Sequence, residues 1–374
     1  MSSTDVFALT IHADYRCRHS GECCSADWDV PVELPVYRTL REAVGSGRLR
    51  PHVSARHLDP FVVEPDLPHD AAAMLERTDE GNCVFLEHGT RLCIVHRDLG
   101  EPALPLTCRH FPRLAVQDSR GTFITLSHFC PTAASMLFRD DRPLAIVSTP
   151  PAFPPGNYDG LVVTSDDLPP LLSPNMLMDA EGYSAWERHM VALCARVETS
   201  PDAVLATLAR DARLLRAWKP GAVALADAVS ALPDETLVRE SPESLIPSLS
   251  MYAEVMSAVP DDLTPEPDEA GLDRVFIERV RTRWSDFRAP LNRYLGAKAF
   301  ASWTAYQGRG IATVVRGLDA ALSIVRVEAT RQCRDDGRGL DADLLLNALR
   351  RADFILNHLA TGEDLAATWS SAEL

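Results

Sequence analysis

The rhythm of apolar positions changes near residue 180. Before it, apolar residues come in short runs separated by turns: Val6-Phe7-Ala8-Leu9-Thr10-Ile11, Cys83-Val84-Phe85-Leu86, Leu92-Cys93-Ile94-Val95 and Gly121-Thr122-Phe123-Ile124-Thr125-Leu126. Short β-branched and aromatic runs bounded by turn formers predict strands, and the two that flank Gly89 predict a small hairpin. Pro35 to Val44 predicts a short helix that stops at Gly45. Pro143 to Pro174 then carries Pro150-Pro151, Pro154-Pro155-Gly156 and Pro169-Pro170. Prolines that dense cannot continue a helix or a central strand, which predicts a linker.

From Gly182 onward the spacing is helical. Ser200-Pro201 is a start signal, a hydroxyl N-cap followed by proline in the first turn, with Leu205, Leu208, Ala212 and Leu215 on one face. Leu272, Val275, Phe276, Val280, Trp284 and Phe287 form a second stripe. Ile311, Val314, Val315, Leu318, Leu322 and Val325 form a third, and a last helix is predicted from Asp341 to about His358. The expected fold class is α+β. A small cysteine-rich metal-binding domain with short strands and helices spans 1–142, a proline-rich linker spans 143–180, and an α-helical bundle of roughly six to eight helices spans 181–374.

Composition narrows the function. A chain of 374 residues, 46% hydrophobic and 24% charged, has enough apolar material for two cores. Its formal charge of −16 would repel a phosphate backbone, so no nucleic-acid partner is expected, and a lysine-rich protein segment is the better electrostatic match. No run approaches the ~20 apolar residues of a membrane span, and Met1 to Thr10 lacks the pattern of an export leader. A cytoplasmic location with reduced thiols and no membrane contact is the expectation.

The distribution of soft ligands carries the chemistry. Seven of the nine cysteines (Cys17, Cys23, Cys24, Cys83, Cys93, Cys108 and Cys130) and nine of the eleven histidines fall within the first 130 residues. An odd cysteine total and a reducing compartment speak against disulfides, so all seven are candidate metal ligands. Cys17, Cys23, Cys24 and Cys108 head the set, followed by Cys83, Cys93 and Cys130. A 4Fe–4S cluster takes about four thiolates, and a zinc ion takes about four ligands, to which His19, His96, His110 or His128 could contribute. Seven clustered thiols exceed the need of one zinc site, which favours iron–sulfur. Arg109 and Arg113, beside Cys108, could neutralise an anionic cluster. Cys194 and Cys333 lie at core positions of helical patterns and are expected to be inert.

The double-cysteine loop Cys17 to Cys24, Gly81-Asn82-Cys83-Val84-Phe85-Leu86, Leu92-Cys93-Ile94 and Cys108-Arg109-His110-Phe111-Pro112 together resemble the YkgJ-type cysteine-cluster family of zinc- or iron-chelating domains. Trp28 after Cys23-Cys24, Leu99-Gly100, Leu104-Pro105, Arg113, Leu126-Ser127, Cys130-Pro131 and Ala133-Ala134 are similar to its flagellin lysine N-methylase branch. Where the family commonly has a further cysteine, this chain has Ser20. The resemblance covers residues 15 to about 135. It implies an iron–sulfur or zinc centre, S-adenosylmethionine as methyl donor, and protein lysine side chains, such as those of flagellin, as substrate. A dinucleotide-binding glycine motif, a phosphate loop and the three-cysteine spacing of radical S-adenosylmethionine enzymes are absent from the sequence, so it offers no donor site or catalytic residue.

Overall fold

The computed structural model describes residues 5–26, 28–53, 58–63, 67–155, 158, 169–221, 223–260, 263, 269–360 and 362–371. The fold is mixed α+β, with short sheets and with helices filling the C-terminal half. The N-terminal region forms β1 (Val6–Leu9), β2 (Pro31–Glu33), α1 (Leu34–Gly45), β3 (Phe61–Val62), β4 (Ala71–Leu75), α2 (Ile94–Leu99), α3 (Leu106–His110), β5 (Arg113–Asp118), β6 (Gly121–Leu126), α4 (Pro131–Met136) and β7 (Ile146–Ser148). After the pair β8 (Leu171–Ser173) and β9 (Met176–Leu177) come α5 (Ala180–Cys194), α6 (Pro201–Leu215), α7 (Leu225–Ser230) and α8 (Ile246–Met256). A π-helical turn at Phe276–Val280 joins α9 (Leu272–Val275) to α10 (Arg281–Trp284). Then follow α11 (Arg288–Ala299), α12 (Ile311–Asp336), α13 (Ala342–Phe354) and α14 (Gly362–Ser371).

A four-stranded sheet in the order β5-β6-β1-β7 partitions the molecule. Strand β1 runs parallel to β6, with Phe7 opposite Phe123, and antiparallel to β7. Alternation along the strands sends two sets of side chains to opposite faces. Leu9, Val116 and Phe123 join the core of the C-terminal helices. Val6, Ala8, Ala115 and Ile124 pack instead with Tyr15, Cys130, Ala133 and Phe153. Both faces being covered, every residue of β6 is buried. A separate three-stranded sheet, β2-β4-β3, packs with α1 and with Cys24, Cys83, Val84 and Phe85 into a small second core.

Several local expectations change in the fold. Of the predicted hairpin around Gly89 only a single bridge, Leu86 to Cys93, forms. Cys93 is extended and Ile94 N–H still bonds to Phe85 O, but Ile94 and Val95 then open α2, because the chain must turn back to end at Gly100 in a positive-φ cap. The stretch read as a linker supplies β7 to the sheet edge and fully buries Phe153; Gly156 and residues 159–168 lie outside the described residues. Ser200 caps α6 as expected, its Oγ accepting from Ala203 N–H at 3.1 Å, and Asp341 caps α13 in the same way at 3.0 Å. Helix α14 had no signal strong enough to predict it. Among the described residues, no helix is long and apolar enough to cross a membrane.

Two buried ionic joints fasten the sheet region to the helices. Arg120, in the turn after β5, donates to Asp118 Oδ2 at 2.8 Å and to Glu187 Oε2 of α5 at 3.0 Å. The second joint is centred on Asp353 of α13, which takes the Lys298 ammonium and the His128 backbone N–H, and accepts from Tyr294 Oη at 2.9 Å. His12 Nε2 stands 3.2 Å from His128 Nε2, so one of the two rings must carry the shared proton.

Candidate metal centre

Four separate pieces of local structure aim cysteines inward. Behind β1 the chain turns at Tyr15 and reaches Gly21, whose φ of 75° opens a short 3-10 turn over Glu22–Cys24. Cys24 O then accepts from Cys83 N–H at 2.7 Å, which locks the double-cysteine turn to the segment carrying Cys83. Cys83 and Cys93 each sit in an isolated β-bridge, and Cys93 is also the N-cap of α2. Cys108 lies in α3, whose Leu106 N–H donates to Glu33 Oε1 at 3.0 Å. Cys130 is the N-cap of α4, with Pro131 in its first turn.

All seven thiols line one cavity of about 320 Å³. Cys24, Cys83 and Cys130 are buried, Cys23, Cys93 and Cys108 are half-buried, Cys17 is exposed, and none is in a disulfide. Cys23 Sγ and Cys24 Sγ are 4.0 Å apart; Cys130 Sγ lies 3.7 Å from Tyr15 Oη; the His19 backbone N–H points at Cys17 Sγ from 3.4 Å. Cys24 donates within a group made of Cys23, Cys83 and Cys93, and so is itself held protonated. Its hydrogen bonds bring Cys83 below the ordinary thiol value and Cys93 down to about 7, against burial that acts the other way. Burial and the neighbouring thiols Cys83, Cys23 and Cys93 push Cys108 up, and burial raises Cys17. Among the described residues, no three His, Cys, Asp or Glu side chains are arranged so that they could hold a metal ion as they stand.

The grouping differs in emphasis from the sequence reading. Contacts gather Cys24 with Cys23, Cys83 and Cys93, while Cys17 and Cys130 face Tyr15 on another wall. Of the histidines, His19 and His96 line the cavity with their rings 4.6 Å apart. His110 lines a neighbouring groove, and His128 belongs to the Asp353 joint. Ser20, Arg109 and Arg113 also line the cavity, and Arg109 Nε is buried without a hydrogen-bond partner among the described residues. Cys194 and Cys333 are fully buried in the helical core, as their positions predicted.

No family model, curated protein or solved structure matches this chain.

The C-terminal half contributes residues that sequence patterning missed. Arg350 of α13 donates to Glu22 Oε2 at 2.6 Å, directly beside the double cysteine, and to Phe129 O at 3.0 Å. His358 reaches Ser127 Oγ at 2.9 Å and packs on Trp28 with 4.8 Å between ring centroids; Phe111 lies 5.0 Å from Trp28. Burial lowers the His358 pKa to about 4, which keeps the ring neutral. Trp28, Phe111 and His358 floor a groove of about 500 Å³ that also carries Asp29, Glu33 and Asp70, and that shares Phe111 and Arg113 with the cysteine cavity. The only sequence hint was that His358 is one of two histidines outside the first 130 residues.

Gly21 is the position in this site where backbone freedom matters. A Cβ there would meet the carbonyl oxygen of Arg91, and the φ of 75° disfavours any L side chain. Gly21→Ala is expected to cost about 1–2 kcal/mol from the left-handed conformation alone, with the clash in addition. It should also lower metal retention after purification. Wild-type metal content and denaturation midpoint in this variant would show that the turn does not hold its thiols in place.

Proposed function

We propose that the chain is a metal-binding protein whose N-terminal thiols hold an iron–sulfur centre of the 4Fe–4S type, and that it methylates lysine side chains of a protein such as flagellin with S-adenosylmethionine. The observation that carries the metal half is the convergence of all seven early cysteines, from four separate segments, on one cavity. The chemistry and number of the donors, rather than their present spacing, suit such a group: four thiolates suffice for it, the cavity offers more, and Arg109, whose buried Nε has no partner among the described residues, supplies a cation against its negative charge. Cys23, Cys24, Cys83 and Cys93 are the first candidates to hold it, with Cys108, Cys17 and Cys130 as the remaining thiols. When bound, such a centre would supply one-electron chemistry.

The methylase half rests on the resemblance, supported by the adjoining groove. Neutral aromatic faces flanked by carboxylates stabilise an ammonium by cation–π attraction and by charge, so Trp28, Phe111 and His358 with Asp29, Glu33 and Asp70 suit a lysine side chain. A second reading is a structural zinc site without catalysis. The 4.0 Å between Cys23 Sγ and Cys24 Sγ favours it, being close to the roughly 3.8 Å edge of a tetrahedron with ~2.3 Å bonds.

Anaerobic purification with metal analysis and an absorbance scan separates the two metals: about four irons per chain and broad absorption near ~400 nm are expected. A colourless protein with one tightly held zinc would overturn the cluster. Incubating the loaded protein with S-adenosylmethionine and flagellin should yield methyl-lysine by mass spectrometry. If the centre is intact and no transfer occurs under reducing or oxidising conditions, the methylase half fails and the metal half stands.

A further inference from the structure

Against the β5–β6 hairpin lies a further cavity of about 530 Å³, within the ~300–1,000 Å³ range of sites for drug-sized ligands. Its walls come from the β5–β6 hairpin, the end of α11, α12 and α14, and they are mostly apolar, with Phe300, Val314 and Leu318 among them. Its polar groups fall into two sets. Thr125 Oγ1 donates to Ala297 O at 3.1 Å, and the Ser302 and Thr304 hydroxyls pair at 2.8 Å, so these are satisfied from within. Asn357 Nδ2 and the indole N–H of Trp369, a residue only 5% exposed, are buried with no partner among the described residues. Lys298 also lines the cavity, and its ion pair with Asp353 takes one oxygen while its ammonium has three N–H groups.

An orphaned buried donor costs about 1–3 kcal/mol, so a cavity holding two of them beside an ammonium is shaped for a ligand that brings acceptors. Asp353 shares its charge with Tyr294 and the His128 N–H as well as Lys298, which leaves Lys298 able to attract a second anion. We infer that this cavity binds a small organic carboxylate with an apolar body, its head group at Lys298, Asn357 and Trp369 and its body along α12. The inference stands on this cavity alone and does not rest on the metal reading.

Calorimetric titration of the full chain with decanoate and with 4-phenylbutyrate tests the inference, with decanol and decylamine as head-group controls. At least one carboxylate should bind saturably at one per chain, decanol roughly tenfold more weakly because it lacks the charge, and decylamine not measurably. Trp369→Phe and Asn357→Leu, which keep bulk and remove a donor each, should weaken the bound carboxylate roughly fivefold or more while leaving the thermal midpoint of the free protein no lower than that of wild type, since each removes an unpaired buried donor. Failure of both carboxylates to bind, equal binding of all head groups, or unchanged affinity in both variants would overturn it.

Discussion

Cys24→Ser is expected to leave the purified protein with less than about a tenth of the wild-type metal, because metal sites are held cooperatively and the oxygen of serine is a poor ligand for iron or zinc at neutral pH. Cys24 is the choice because its thiol lies among those of Cys23, Cys83 and Cys93, 4.0 Å from Cys23 Sγ, and its carbonyl receives the Cys83 N–H, so it sits where two cysteine-bearing segments meet. Loss of the metal should also cost stability. The second hydrophobic core, built from β2, β3, β4 and α1 with the cysteine turns, is small, and in small metal-linked units the binding energy is folding energy. Limited proteolysis should therefore open 15–110 before the helical half. Cys194→Ser is the matched control: it lies in the helical core, and should lose roughly 1–3 kcal/mol from burying a hydroxyl while keeping full metal content. Metal analysis of the two variants side by side decides the matter. Equal metal in Cys24→Ser and wild type would remove Cys24 from the site.

Where a local rule decides the outcome, the chain could be read in advance. The Ser200 cap of α6 and the Asp341 cap of α13 follow from residues that have few alternatives, and α1 ends at Gly45 as expected, though it is Gly47 that takes the left-handed turn beyond it. The α12 stripe was legible because it recurs at spacings of three and four from Ile311 to Val325, within a helix of 26 residues. Short elements were harder to read. Leu92-Cys93-Ile94-Val95 has strand composition but begins α2, because the pairing that would keep it extended stops at the Leu86 to Cys93 bridge. The site divided the same way. Clustered cysteines pointed at themselves, while Arg350 and His358 reach the cysteine region and its groove from more than 200 residues away, through packing that no spacing encodes. Domain boundaries drawn from proline density also hid how Leu9, Val116 and Phe123 join the helical core.

Asp353→Ala is expected to destabilise the fold by about 3–5 kcal/mol, the usual result of removing one partner from a buried ion pair. Asp353 has no exposed surface, and its loss strands the Lys298 ammonium, the Tyr294 hydroxyl and the His128 backbone N–H together. Because those groups come from α11 and from the loop after β6, the joint between sheet and helices should loosen first. Hydrogen exchange should then rise at 127–130 and at the end of α11 before it rises in α12. Asp353→Ala combined with Lys298→Met should recover part of the loss, since the orphaned charge is then gone. The pH dependence has a definite sign. Burial alone would raise the Asp353 pKa, but the Lys298 charge and the hydrogen bond from His128 outweigh it and hold the carboxyl well below its ordinary value. A depressed carboxyl contributes stability that is complete above the unfolded value of about 4 and is lost only as pH falls toward the folded one. His12, driven far below its ordinary range by burial and by His128, adds a loss of the same sign that begins at higher pH, since acid must charge a ring that has no room for solvent. Wild type should therefore lose stability from about pH 6 downward through its buried histidines, and the gap between wild type and Asp353→Ala should close only in stronger acid. Denaturant midpoints measured from pH 7 to pH 3 test this, and a gap that already vanishes near pH 6 would show that Asp353 is not the charged centre of the joint.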